Sequence, residues 1–228
     1  MTGITPIRLG RTNCYLLRGD GPAVLVDTGM PGAGHRFERV LARLGTQPSD
    51  VGYIVLTHGH ADHAGCACDV RAMTGASVIM HTFDAPVVEQ GDSALPPAAT
   101  GWGRVLRLLL RPLSAAMRYT GFVPDVVIDA EMSLEPFGIP AHVVHTPGHT
   151  AGSVSVLLDS GEAFVGDLAM NGFPMRAGPG LPAFAENVDQ VYASWEALLA
   201  AGATTIYPAH GKPFPADRLR DILRRRTS

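Results

Sequence analysis

The sequence predicts an α/β fold in stacked layers, built from two related halves with a helical insertion between them. Three observations lead there. Strand-like and helix-like segments alternate in a βαβα rhythm from residue 13 to residue 80, the order that layered α/β folds use. Each half contains a hairpin whose second strand ends on an Asp, Asp27 in one and Asp167 in the other. Between the halves, at about residues 92–124, a leucine- and arginine-rich segment breaks the rhythm.

Residues 13–17 and 23–26 are strands flanking Gly19-Asp20-Gly21-Pro22, a turn cluster that makes them a hairpin. Phe37, Val40, Leu41 and Leu44 then recur at helical spacing, and Gly45 stops that helix. Residues 53–56 form a buried strand running into a His-rich loop at 57–63; a short helix follows to about Met73, then a strand at 77–80. The second half is expected to start near Asp125, with strands at 126–128, 141–145, 154–158, 163–165 and 204–206. Leu16-Leu17 with Val24-Leu25-Val26-Asp27 parallels Leu157-Leu158 with Ala163-Phe164-Val165-Gly166-Asp167, which suggests a duplicated αβ/βα sandwich. Residues 188–199 and 218–226 are packing helices with solvated charge.

In the insertion, Arg104, Arg107, Arg111 and Arg118 fall on one stripe of a helix that Pro112 kinks or splits. Leu106, Leu109, Leu110 and Leu113 are expected to wall an apolar acyl pocket, with the helix as a lid over it. A homodimer interface is the competing expectation for the same leucines.

All 228 residues are expected to form one domain, since the chain is long enough for one well-buried core and short for two. A net charge of −3 argues against nucleic acid as the main partner. An apolar share of 46% argues against disorder, and no apolar run is long enough for a membrane span. The first ten residues lack the basic start and apolar stretch of a secretory signal, so the cytoplasm is the expected compartment. Cys14, Cys66 and Cys68 have neither redox nor zinc spacing and are expected to be packing residues of a reduced protein.

The most informative stretch is Thr57-His58-Gly59-His60-Ala61-Asp62-His63. His58 and His60, two apart on an extended loop, can point the same way. Asp62 and His63, adjacent at the start of a helix, would face a neighbouring point. Two metal positions side by side follow. Other segments supply more ligand types where a strand meets a Gly- or Pro-containing loop: His149 after Thr146-Pro147-Gly148, Asp167 after Gly166, and His210 after Tyr207-Pro208-Ala209. Sites in α/β folds assemble at that edge. His, Asp and water suit zinc, and iron or manganese accept the same donors. His35, His81, His142 and His145 carry no spacing argument and are read as structural.

The series His58-x-His60-x-Asp62-His63, then His149, Asp167 and His210, together with Asp27 in Val26-Asp27-Thr28-Gly29, resembles the metallo-β-lactamase superfamily along nearly the whole chain. The resemblance implies a four-layer αβ/βα sandwich and two divalent metal ions. His58, His60 and His149 would hold one ion, Asp62, His63 and His210 the other, and Asp167 would bridge them. Asp27 would hydrogen-bond the ligand loop without touching metal, although a turn-forming Asp there is the simpler alternative. The implied reaction is hydrolysis of a small-molecule ester, thioester or lactone by a metal-bound hydroxide, with Asp62 and Asp167 as the catalytic carboxylates. Asp167 stands where the commonest zinc β-lactamases carry Cys, so β-lactam cleavage is not expected. Two other activities of the superfamily are the alternatives: acyl-homoserine lactone hydrolysis, and a mononuclear iron dioxygenase acting on persulfides.

Overall fold

The computed structural model describes residues 2–112 and 117–227. Two six-stranded sheets face each other. The first has the order β1 (Gly3–Leu9), β2 (Thr12–Arg18), β3 (Ala23–Val26), β4 (Val51–Val55), β5 (Ser77–His81), β6 (Val126–Ile128). The second runs β7 (Met132–Ser133), β8 (Ala141–His145), β9 (Val154–Leu158), β10 (Glu162–Phe164), β11 (Thr205–Tyr207), β12 (Phe214–Pro215). In both sheets a hairpin strand pairs in parallel with the next strand of the sheet, β3 with β4 and β10 with β11.

Strand β3 is buried at every position because its two faces feed different cores. Val24 and Val26 pack between the sheets with Tyr15, Val55, Val156 and Phe164. Leu25 points the other way, joining Leu16, Ile54 and Val78 under helices α1 (Gly34–Arg43) and α3 (Ala67–Thr74). Near-continuous apolar runs are what a doubly covered strand requires. On the far side, Ala163 and Ile206 pack beneath Trp195 and Leu198 of α6 (Val188–Ala200) and Leu219 of α7 (Asp217–Thr227). Helix, sheet, sheet, helix: this is the four-layer αβ/βα sandwich the sequence predicts.

Several expectations are corrected. The strand at 126–128 does not open the second half. It pairs in parallel with β5, Ile79 opposite Val126, and completes the first sheet, so the boundary falls after Ile128. Strand β1 stands outside the predicted hairpin and pairs with β2 over seven residues, from Gly3–Arg18 to Leu9–Thr12; Pro6 is tolerated because β1 is an edge. The helix expected to reach Met73 is two, α2 (Ala61–Ala64) and α3. A further helix, α4 (Ala85–Gln90), precedes the insertion. Within the insertion, α5 (Gly101–Leu110) starts on Thr100, whose Oγ1 accepts from Gly103 N at 2.9 Å, and ends before Pro112. Arg118 is therefore not on its stripe; it forms a bridge and an ion pair with Asp92. Leu113 lies outside the described residues.

Candidate metal centre

All seven candidate ligands meet where β4, β8, β10 and β11 end. Three overlapping groups have donor atoms within 4.8 Å of one another: His58, His60 and His149; His58, His63 and Asp167; Asp62, His63 and His210. Strand β4 carries the chain through Leu56 and Thr57 into an extended His58-Gly59-His60, and α2 begins at once, so Asp62 and His63 occupy its first turn. Two glycines let the other loops approach. Gly166, at φ +51, lies so close to Thr57 that a Cβ would sit 2.4 Å from its Oγ1. Gly148, at φ +134, lies equally close to the backbone of Val191. Glycine adopts such angles at no steric cost, and at both positions a Cβ would have no room.

The imidazoles are aimed by what holds their outer nitrogens. His149 Nδ1 donates to the Phe184 carbonyl at 2.9 Å, so its Nε2 offers a lone pair 3.0 Å from His60 Nδ1. His63 Nδ1 donates to Asp27 Oδ2 at 2.8 Å, and His210 Nδ1 to the Arg11 carbonyl at 3.3 Å. Thr57 has one hydroxyl proton, which goes to the Asp27 carboxylate at 2.9 Å; its oxygen then accepts from His58 Nδ1 at 3.1 Å. The inner nitrogens are left facing Asp167, whose Oδ1 lies 3.4 Å from His63 Nε2 and 3.3 Å from His210 Nε2. His58 Nε2, His63 Nε2 and Asp167 Oδ1 are buried without a hydrogen-bond partner. Buried polar atoms are rarely left so, and three of them converging at one point fit a metal ion as the missing partner. Outer nitrogens bound to carboxylate or carbonyl are also what metal-ligating histidines show.

The charges divide the cluster. Burial holds the His58 and His60 imidazoles below the ordinary value, His60 at about 3, with neighbouring imidazoles adding to the effect. Burial also opposes charge on the other side, but there carboxylates overcome it: Asp27, Asp62 and Asp167 push His63 up, and Asp167 and Asp62 push His210 up. Reciprocally, although burial alone would raise them, Asp62 is held low by His63 and His210, and Asp167 is held at about 2 by His210 and His63.

One residue that sequence reasoning missed holds the site together. Asp84, buried just before α4, accepts from Gly59 N at 2.8 Å and, across the sheet boundary, from Thr150 Oγ1 at 2.9 Å and Gly152 N at 2.9 Å. It clamps the His58–His60 loop to the His149 loop. No spacing signals it, since its partners lie 25, 66 and 68 residues away. Tyr119 adds a second tie, donating to the Gly59 carbonyl at 2.6 Å. On the opposite side Asn13 Nδ2 and Tyr15 Oη donate to the carbonyls of Gly211 and Pro208, at 2.7 Å each, and so fix the His210 loop.

A cleft of about 400 Å³ opens on His60, Asp62, His149, Asp167 and His210. Its walls are apolar: Leu95, Leu106, Leu110, Met117, Met175 and Phe184 line it, with Arg11 contributing a charge. Two of the four expected wall leucines are therefore in place. Leu109 is not: it is 64% exposed on the outer side of α5, one helical position away from the buried stripe of Leu106 and Leu110. His81 and His145, read as structural, stack face to face at 4.0 Å outside the cluster.

Residues 7–210 match the model of the family described as Metallo-beta-lactamase superfamily. The chain is 28% identical over 230 residues to the uncharacterized protein YobT of Bacillus subtilis (strain 168), covering 93% of this chain and 89% of that one. It is 27% identical over 225 residues to the same organism's "Probable metallo-hydrolase YqjP", covering 92% and 70%. A solved metallo-beta-lactamase family protein from Thermus thermophilus is similar in fold, with a TM-score of 0.72 at 24% identity over 99% of this chain and 79% of that one.

Proposed function

We propose, from the premise that the chain belongs to the metallo-β-lactamase superfamily, that it hydrolyses an ester, thioester or lactone with an apolar acyl part and works with two divalent metal ions, zinc being the ion its donors suit best. Membership supports a metal-dependent hydrolase. The observation that carries it is the convergence of the unpartnered His58 Nε2, His63 Nε2 and Asp167 Oδ1. On this reading His58, His60 and His149 would hold one ion and Asp62, His63 and His210 the other, with Asp167 contributing a carboxylate to both. Ions bound there would supply a hydroxide at neutral pH and polarise the acyl oxygen.

The chain's own groups do the rest. Asp27, Thr57, Phe184 and Arg11 occupy the outer nitrogens of His63, His58, His149 and His210, so the inner nitrogens would be the ones to present lone pairs to the ions. Asp62, about a third exposed toward the cleft, would take the proton released when bound water becomes hydroxide and return it to the leaving group. Leu95, Leu106 and Phe184 exclude water and seat the acyl chain, and α5 serves as the cover of that cleft.

Elemental analysis of purified protein, combined with a panel of aryl esters, thioesters and lactones, tests this. Two ions per chain are expected, one in His210→Ala, with turnover of at least one ester class. A single tightly held iron, with oxygen consumed in the presence of a persulfide, would transfer the chain to the dioxygenase reading.

A further inference from the structure

The outer face of α5 is as distinctive as its inner face. Trp102, Val105, Leu108 and Leu109 are 45%, 46%, 70% and 64% exposed. Trp102 Nε1 donates to the Pro174 carbonyl at 2.6 Å, which sets the 81%-exposed Phe173 beside the same face. An apolar surface of this kind on a protein otherwise well buried marks an interaction site.

Charge identifies the partner. From Ser93 to Pro124 the sequence contains four arginines and no acidic residue, in a chain whose net charge is −3. Arg104, Arg107 and Arg111 form one exposed row along α5, beside the apolar face, and line a groove of about 590 Å³ with Leu108. None of the three makes an ion pair among the described residues. A helix with leucine and tryptophan on one exposed face and arginines along its flank has the pattern of one that lies in a lipid–water interface, rings and leucines in the acyl boundary and guanidinium groups among anionic headgroups. A second copy of the chain fits poorly. A two-fold contact would bring a second set of the same arginines to the same interface, with no carboxylate in the segment to neutralise them.

We propose that α5 docks this protein on an anionic phospholipid surface. The inner side of the same helix lines the cleft through Leu106 and Leu110, so docking would hold the cleft within one helix thickness of the lipid boundary, where apolar acyl compounds concentrate.

Vesicle co-sedimentation tests the surface without needing turnover, and so separates its failure from failure of the hydrolase reading. The full-length protein is expected to sediment with phosphatidylcholine vesicles containing about a third phosphatidylglycerol, to stay in solution with phosphatidylcholine alone, and to be released by high salt. Arg104→Gln with Arg107→Gln should lower partitioning roughly 30-fold, at about fivefold for each charge. Leu108→Glu should abolish partitioning. Both variants should keep the wild-type circular dichroism and the wild-type turnover of whichever water-soluble substrate the panel identifies. Failure to sediment with anionic vesicles at low salt, or equal binding to neutral ones, overturns the proposal. So does a sizing column showing a dimer that Leu108→Glu converts to monomer, since the face would then be a contact between copies.

Discussion

Asp27 and Asp167 occupy matching places in the two halves: each follows the second strand of a hairpin that pairs in parallel with the next strand. Their surroundings differ. Asp27, at φ +61, accepts from Thr57 N at 2.8 Å, Thr57 Oγ1 at 2.9 Å and His63 Nδ1 at 2.8 Å, so both of its oxygens are taken by protein donors. Asp167 is buried to a similar degree, yet its Oδ1 has no hydrogen-bond partner and faces His63 and His210 from 3.4 and 3.3 Å. The same topological position thus yields a carboxylate that positions and one that can ligate. The choice lies in whether backbone and hydroxyl donors reach the oxygens first. Asp is one of the few residues besides Gly to adopt the left-handed backbone readily. In the second half that conformation falls one residue earlier, at Gly166.

Asp167→Asn is the sharpest way to break the comparison. Removing the charge between both donor groups should lower metal content, measured by elemental analysis, and reduce turnover more than a hundredfold. Metal-free protein should lose less thermal stability than Asp27→Asn does, because Oδ1 accepts no hydrogen bond and only its attraction to the His63 and His210 imidazoles is lost. Wild-type turnover at full metal occupancy would show that the two Asp residues do the same work.

Asp27→Asn should show the reverse balance. A positioning carboxylate acts through the ligands it holds, and its loss typically costs 10–100-fold in metal affinity. Here the metal-free protein should also soften. Hydrogen bonds to a buried charge contribute about 1.5–3 kcal/mol each, and Asn replaces one acceptor oxygen with an NH₂ group that cannot receive the Thr57 or His63 proton. Zinc titration of the apoprotein and its melting temperature check both arms.

How much of this was legible in the sequence follows the same physics. The candidate ligands were readable because metal chemistry restricts residue type, and loops at strand ends restrict place: His58, His60, Asp62 and His63 announce themselves by spacing, and His149, Asp167 and His210 by the strands they follow. Asp84 was not readable. Its function is to accept from backbone N–H groups, which every residue but proline carries, so nothing in the sequence marks the partners. Strand β6 was assigned to the wrong half because Val126-Val127-Ile128 reads equally well as a strand of either sheet; its register beside β5 is a tertiary fact. In the insertion, leucine on nearly every face of one helix left its inner side undecided, and only packing separates Leu106 from Leu109.

Asp84→Asn extends the comparison to a carboxylate that joins the halves through their loops. Two or more of its three bonds should weaken, destabilising the fold by roughly 2–4 kcal/mol. For a chain of this size that is a fall in Tm of about 5–15 °C. Metal content at saturating zinc should stay near wild type, since all seven candidate ligands remain. Loss of ions without loss of Tm would instead make Asp84 a ligand in its own right.

The smallest effect separates the two sides of α5. Leu110 lines the cleft, and Leu109, next to it in sequence, faces outward. If Leu110 contacts the acyl chain, Leu110→Ala exposes part of that chain's seat. One methylene in an apolar pocket is worth about 1–3 kcal/mol; Leu110→Ala removes three carbons, but a half-buried side chain gives up only part of that contact, so the lower end applies, about fivefold. The loss should appear as a raised KM for an octanoyl ester with kcat unchanged, because a wall binds ground state and transition state alike. An acetyl ester, too short to reach the wall, should be unaffected. Leu109→Ala should leave both soluble substrates at wild-type values. Equal shifts for acetyl and octanoyl esters in Leu110→Ala would mean that α5 shapes the metal centre itself and not the acyl seat.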